Sequence, residues 1–170
     1  MKIYVPNMYQ KSVFDINYND LKDMNIEYLI FDLDNTLGLI NDVVCNSKTR
    51  DFINELSKSF TIIIASNNNY NRVSTFSKEM KVDIISMALK PSRKIHQIMK
   101  KKYTKNMSKV CMIGDQIVTD IIVGNRFGML TILVYPLGEK DLKITSFNRF
   151  LEKKIINKMN FKRGEYYAKK

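Results

Sequence analysis

The sequence predicts a three-layer α/β fold: a mostly parallel five-stranded sheet with helices on both faces. Two observations carry this. Apolar, β-branched runs of strand length alternate with amphipathic stretches of helix length, the order that βαβ units require. Three of those runs also end directly in acidic or hydroxyl segments, DLDNT (Asp32–Thr36), SNNN (Ser66–Asn69) and GDQIVTD (Gly114–Asp120). Ligands of open parallel sheets bind at such strand ends.

The expected strands are Tyr28–Leu33, Thr61–Ala65, Val82–Ile85, Val110–Ile113 and Thr131–Val134. Between the first two, Ser47–Phe60 carries Phe52, Ile53 and Leu56 at helical spacing, with Asn46 or Ser47 as its cap. Asn71–Met80 puts Val73, Phe76 and Met80 on one face. Ser92 opens a third helix with Ile95, Ile98 and Met99 inward, and Thr119–Phe127 is a fourth, stopped by Gly128. A last helix is expected over Ser146–Met159, with an apolar stripe including Phe147, Leu151 and Ile155. Residues 1–25 read as an irregular lead-in and 160–170 as a basic tail.

With 170 residues, 45% hydrophobic and 26% charged, the chain suits one folded domain over 1–170 rather than a disordered one. No apolar run approaches the roughly 20 residues that cross a bilayer. The first twelve residues lack the apolar core of an export signal. Two cysteines, Cys45 and Cys111, form neither a disulfide framework nor a zinc pattern. The expectation is a cytoplasmic protein. A net charge of +11 favours an anionic partner, unless it reflects coding bias toward lysine.

The segments supply what phosphoryl transfer needs: a nucleophile, a proton donor, cations and donors that hold the phosphate in line. Asp32, ending the first strand, is the candidate nucleophile and forms an aspartyl phosphate. Asp34, two residues on, returns to the same side of an extended segment and serves as general acid, then base. Oxygen ligands suit Mg²⁺, and the metal set is read as Asp32, Asp34, Asp115 and Asp120. Asp32 and Asp115 are the direct ligands, while Asp120 holds a bound water or orients Asp115. Ser66 and the backbone amides of Asn67 and Asn68 bind the phosphate. Lys90 adds a point positive charge between phosphate and nucleophile, as both catalytic and phosphate-binding residue. Taken singly, each segment is an ordinary turn, cap or corner; their order after successive strands gives the chemistry.

The residues IEYLIFDLDNTL (Ile26–Leu37), SNNNYNRV (Ser66–Val73), Lys90–Pro91, GDQIVTDIIVGNRFG (Gly114–Gly128), TILVYP (Thr131–Pro136) and TSFNRFLE (Thr145–Glu152) resemble the haloacid dehalogenase superfamily of phosphatases. They are most similar to the YqeG-like, phosphatidylglycerophosphatase-like members of subfamily IIIA. The resemblance implies a Rossmannoid sheet with the first strand near its centre, the Mg²⁺-dependent aspartyl-phosphate mechanism, and a lipid substrate, phosphatidylglycerophosphate, hydrolysed to phosphatidylglycerol. Gly38–Cys45 and the lysine-rich tail from Phe161 depart from the family pattern.

About thirty residues separate DLDNT from SNNN, room for a loop and one helix but not for a folded cap, so the site stays open. An open cleft suits a headgroup anchored in a bilayer. Lys140–Lys170 carries ten Lys or Arg against three Asp or Glu, which suits peripheral contact with an anionic inner membrane surface. Arg72, Arg126 and Arg149 are candidates for a second phosphate, or for structural carboxylate pairs. His96 has no catalytic role in this reading. Two other functions fit the sequence: a phosphatase of soluble sugar or nucleotide monophosphates, and a basic nucleic-acid-binding module on an inactive fold.

Overall fold

The computed structural model describes residues 2–78, 80–138 and 155–156. Among them six strands form one sheet: β1 (Met8–Gln10), β2 (Tyr28–Phe31), β3 (Thr61–Ala65), β4 (Asp83–Ile85), β5 (Val110–Gly114) and β6 (Leu130–Val134). Their order is β1-β6-β5-β2-β3-β4, and every pairing is parallel. β2 is thus interior, with Leu29 opposite Ile62 on one side and Cys111 on the other.

The helices are α1 (Tyr18–Asp23), α2 (Ser47–Leu56), α3 (Tyr70–Ser77), α4 (Lys94–Lys102) and α5 (Ile122–Arg126). Strand side chains alternate between two cores. Leu29, Phe31, Ile62, Ile64 and Ile113 meet Leu21, Ile53, Val73 and Phe76 from α1, α2 and α3. Ile30, Ile63, Ala65 and Met112 meet Ile95 and Met99 of α4 and Val123 of α5. Burial on both faces is why these strands read as unbroken apolar runs. Phe31 has no exposed surface, and truncating such a side chain to Ala costs about 3–5 kcal/mol.

The helix starts follow from side-chain caps. Asn46 accepts from Thr49 N at 2.8 Å and Asn69 from Arg72 N at 3.0 Å, each satisfying an amide that has no partner within the helix. α5 stops before Gly128, which takes φ +76°.

The lead-in is more ordered than expected. β1 adds a sixth strand against β6, and α1 follows it. Asn7 Oδ1 accepts from Thr131 N at 2.9 Å, while Asn125 Nδ2 donates to the carbonyls of Ile3 and Val5 at 2.9 Å. The expected helix from Thr119 is preceded by a π-type turn, Ile117–Ile121, that leads into α5. Of the expected last helix only Ile155 and Ile156 are described; they are helical and pack near Tyr9, Ile117 and Leu133. The rest of that helix and the tail 160–170 lie outside the described residues. Among the described residues no helix is long and apolar enough to cross a membrane.

Candidate active site

The chain leaves β2 toward β3 and β4 on one side, then returns through β5 to the other side of β2. Parallel sheets open a crevice at such a reversal, beyond the carboxyl ends of the strands. Asp32 follows β2, Ser66 follows β3, Lys90 lies beyond β4 and Asp115 follows β5. Asp32 N still donates to Ile113 O at 2.8 Å, so the ladder itself aims this residue.

Asp32, Asp115 and Asp120 are buried, and each offers a carboxylate oxygen within 4.8 Å of the others. Lys90 Nζ lies 2.5 Å from Asp32 Oδ1 and 2.7 Å from Asp120 Oδ1, and donates to Ala65 O at 2.9 Å. One ammonium against three carboxylates leaves the cluster negative. Burial pushes Asp32 up to about 7; the Lys90 charge opposes this, and Asp120 adds to it. For Lys90, burial works against the charged form, but Asp120 and Asp32 outweigh it, and the ammonium is held above its ordinary value. Lys90 is therefore cationic. Thr36 Oγ1 spans the gap, 3.4 Å from Asp32 Oδ2 and 3.3 Å from Asp115 Oδ1.

Two features hold these groups in place. Asn67 clamps the Lys90 backbone: its Oδ1 accepts from Lys90 N at 2.7 Å, and its Nδ2 donates to Lys90 O at 3.3 Å. Gly114 makes room for Asp120, since a Cβ there would stand 2.3 Å from Asp120 Cγ and Oδ2. The π-type turn brings Asp120 back over this glycine, where Oδ2 accepts from Gln116 N at 3.1 Å.

Asp34, expected among the metal ligands, stands outside the three-carboxylate group. Its Oδ1 pairs with Arg72 Nη2 at 3.0 Å, and its Oδ2 accepts from Asn68 Nδ2 at 2.7 Å and from Ser66 Oγ at 3.4 Å. Arg72 also donates to the carbonyls of Leu39 and Asp42. It thus takes the carboxylate-pairing alternative and pins the loop after β2. Arg126 Nη1 donates to Pro91 O at 3.0 Å, and Arg149 lies outside the described residues. His96 stacks on Phe127, with ring centroids 4.3 Å apart.

Sequence reasoning missed Thr36, and of Asn68 it named the backbone amide but not the side chain. The signal for Thr36 was the DLDNT turn, whose Leu37 N donates to Leu33 O and folds the fifth residue back over the first. Asn68 carries no such signal, because its contact with Asp34 joins two distant loops.

A family model described as mitochondrial PGP phosphatase matches residues 2–137. Probable phosphatase YqeG of Bacillus subtilis (strain 168) is 33% identical over 162 residues, covering 95% of this chain and 94% of that protein. Phosphatidylglycerophosphate phosphatase 1, chloroplastic/mitochondrial, of Arabidopsis thaliana is 29% identical over 144 residues, 76% of this chain and 41% of that protein. Among solved structures, a probable yrbi family phosphatase from Pseudomonas syringae pv. phaseolica 1448a shares the fold, with a TM-score of 0.51 at 15% identity over 82% of this chain and 90% of that one. A match that spans the strands carrying Asp32, Ser66 and Asp115, together with a relative aligned along nearly the whole chain, makes this protein a member of the PGP phosphatase family, among the YqeG-like phosphatases of the haloacid dehalogenase superfamily.

Proposed function

We propose that this phosphatase hydrolyses the terminal phosphate monoester of a phospholipid headgroup, phosphatidylglycerophosphate, through a phosphoaspartate on Asp32, within one domain over 1–170. The convergence of Asp32, Lys90, Asp115 and Asp120 at the sheet reversal carries the proposal. The family description and the name of the Arabidopsis relative support the choice of lipid.

An Asp32 oxygen attacks phosphorus while the bond to the leaving oxygen breaks, and Asp34 delivers the proton that the leaving alkoxide takes. Water then attacks the phosphoaspartate, Asp34 accepts its proton, and inorganic phosphate departs with Asp32 restored. Lys90 holds the nucleophile and opposes the negative charge of the phosphate oxygens. Ser66 Oγ and the amide of Asn67, at the start of the loop after β3, orient those oxygens.

A divalent cation fits this donor set. Three buried carboxylates face one ammonium, and the donors are all oxygens, the preference of Mg²⁺. Asp32, Asp115 and Asp120 would hold it. When bound, it would offset the carboxylate charge that burial disfavours on Asp32 and polarise the phosphoryl group.

The test is phosphate release by purified protein with Mg²⁺ from phosphatidylglycerophosphate in mixed micelles, beside a panel of sugar and nucleotide monophosphates. Release from the lipid above that of Asp32→Asn supports the reading. Preference for a soluble ester overturns the substrate, and release from no ester overturns the catalysis.

A further inference from the structure

Large apolar side chains are exposed unevenly. Of the ten that are exposed among the described residues, eight lie on the loops and helix start at the carboxyl end of the sheet, where the active site opens. Leu39, Val43 and Val44 follow β2, Met87 and Leu89 follow β4, and Leu137 follows β6. Val43 is 71% exposed, Val44 57% and Leu89 56%. Tyr70 and Tyr135 stand on the same end. Scattered single apolar residues need no explanation, but a set gathered round one opening marks a contact surface.

The loop after β4 is wound to create this display. Met87 and Leu89 both adopt left-handed backbone, φ 47° and 52°, a region that residues other than Gly and Asn seldom hold. The alternation sends these two side chains outward while Ala88 and Lys90 are buried. Hydrogen bonds fix the winding: Met87 N donates to Asn68 O at 2.8 Å, Ala88 N to Ser66 O at 2.9 Å, and Lys94 Nζ to Ser86 O at 3.1 Å. Backbone strain of this kind collects at functional surfaces. The other loops are tied to the same ring, for Leu137 N donates to Asn35 O at 2.9 Å and Gly138 packs against Leu39.

We infer that this ring is a bilayer-docking surface: Leu39, Val43, Val44, Met87, Leu89 and Leu137 enter the headgroup and upper acyl region of an anionic membrane, with the catalytic mouth facing the lipid. The inference rests on the lipid reading of the active site and names how the substrate reaches it. A protein covering the ring would cover the opening, whereas a bilayer covers the ring and itself presents the phosphate monoester. Charge agrees. Exposed Arg93 and Arg126 flank Pro91, while Asp42, half-buried in the loop after β2, uses its carboxylate to accept from Leu39 N. Tyr70 and Tyr135 suit the headgroup level, where one end of a phenol is wet and the other apolar.

The chain contains no tryptophan, so a single introduced indole reports its own surroundings. Full-length Val43→Trp is mixed with vesicles of phosphatidylglycerol in phosphatidylcholine, beside Met24→Trp, whose site precedes β2 at the opposite end of the sheet. A blue shift at position 43 with none at 24 is the expected result. Shifts at both positions or at neither overturn the proposal, as does a shift at 43 that grows with protein concentration without lipid, which assigns the face to a second copy. In parallel, Val43→Ser/Val44→Ser and Met87→Asn, the latter tolerant of positive φ, are sedimented with the same vesicles at high salt, where basic segments contribute little. Binding should fall about tenfold or more, the equivalent of at least one lost apolar anchor, with hydrolysis of p-nitrophenyl phosphate retained. Undiminished binding overturns the docking surface. Absence of hydrolysis by the unsubstituted protein overturns the catalytic reading instead, and vesicle binding reads the docking surface independently of it.

Discussion

Replacing Gly114 by Ala tests the geometry of the carboxylate cluster at a position that carries no chemistry. The new methyl would stand 2.3 Å from Asp120 Cγ and Oδ2 and 2.7 Å from its Cβ, whereas nonbonded carbon contacts are comfortable only from about 3.5 Å. Asp120 is buried and must move by roughly an ångström. In moving it leaves Gln116 N, 3.1 Å away, and Lys90 Nζ, 2.7 Å away. Overpacking costs about 1–3 kcal/mol, and a buried polar group left without its partner about 1–3 kcal/mol more. For a domain of this size the combined cost lowers Tm by roughly 5–20 °C. Thermal unfolding of the wild type, Gly114→Ala, Asp120→Ala and the double variant separates the steric contribution, because Asp120→Ala removes the two closest atoms. Ala at position 114 should cost at least about 1 kcal/mol less in that background. An equal cost in both backgrounds, or an unchanged Tm, refutes the assignment of Gly114 as the seat of Asp120.

Three further outcomes are expected. Asp32→Asn should lower phosphate release by about 10⁴-fold or more and alter the pH dependence of metal-free stability. The folded value, near 7, lies above the ordinary 3.8, so the fold holds this proton more tightly than the unfolded chain does. The Asp32 contribution is complete below about pH 4 and is lost as pH rises through 7. Denaturant unfolding in chelator should show that fall as the difference between wild type and variant, and a difference that grows with pH contradicts it. Mg²⁺ at about a hundred times its dissociation constant should add roughly 2.7 kcal/mol of stability; chelation should reverse the gain, and Asp115→Asn should abolish it. Asn67→Ala removes both clamps on the Lys90 backbone, costing about 1–3 kcal/mol and lowering kcat more than it raises KM; an unchanged kcat would show that Lys90 needs no clamp.

Much of this was legible because the central strands are buried on both faces. β2, β3, β5 and β6 announce themselves as apolar runs, and the residue after each of β2, β3 and β5 is a site residue by position alone. β1 does not, since three residues behind Pro6 make no pattern, and its partner strand lies 124 residues away, with Met8 opposite Ile132. The start of the helix before α5 was blurred by the π-type turn, in which Asp120 N and Ile121 N both donate to Gln116 O. Within the site, Lys90 and the four aspartates were readable from order, but their partners were not. Arg72 looks from sequence as apt for a phosphate as for a carboxylate, and only the fold shows that Asp34 and two carbonyls occupy it. The same holds for the segment Gly124–Arg126, where Gly124 admits the methyl of Thr131, Asn125 ties down the chain near Val5, and Arg126 reaches Pro91.

The pairing of β1 with β6 joins the beginning of the described chain to its far end. A ribosome adding about 5–20 residues per second needs roughly 6–25 s to pass from Gln10 to Leu130. Throughout that interval the first strand has nothing to bond with, while β2 and β3 can already zip together. Vectorial synthesis therefore lets the middle of the sheet form before its β1 edge, which is completed only after β6 has cleared the exit tunnel.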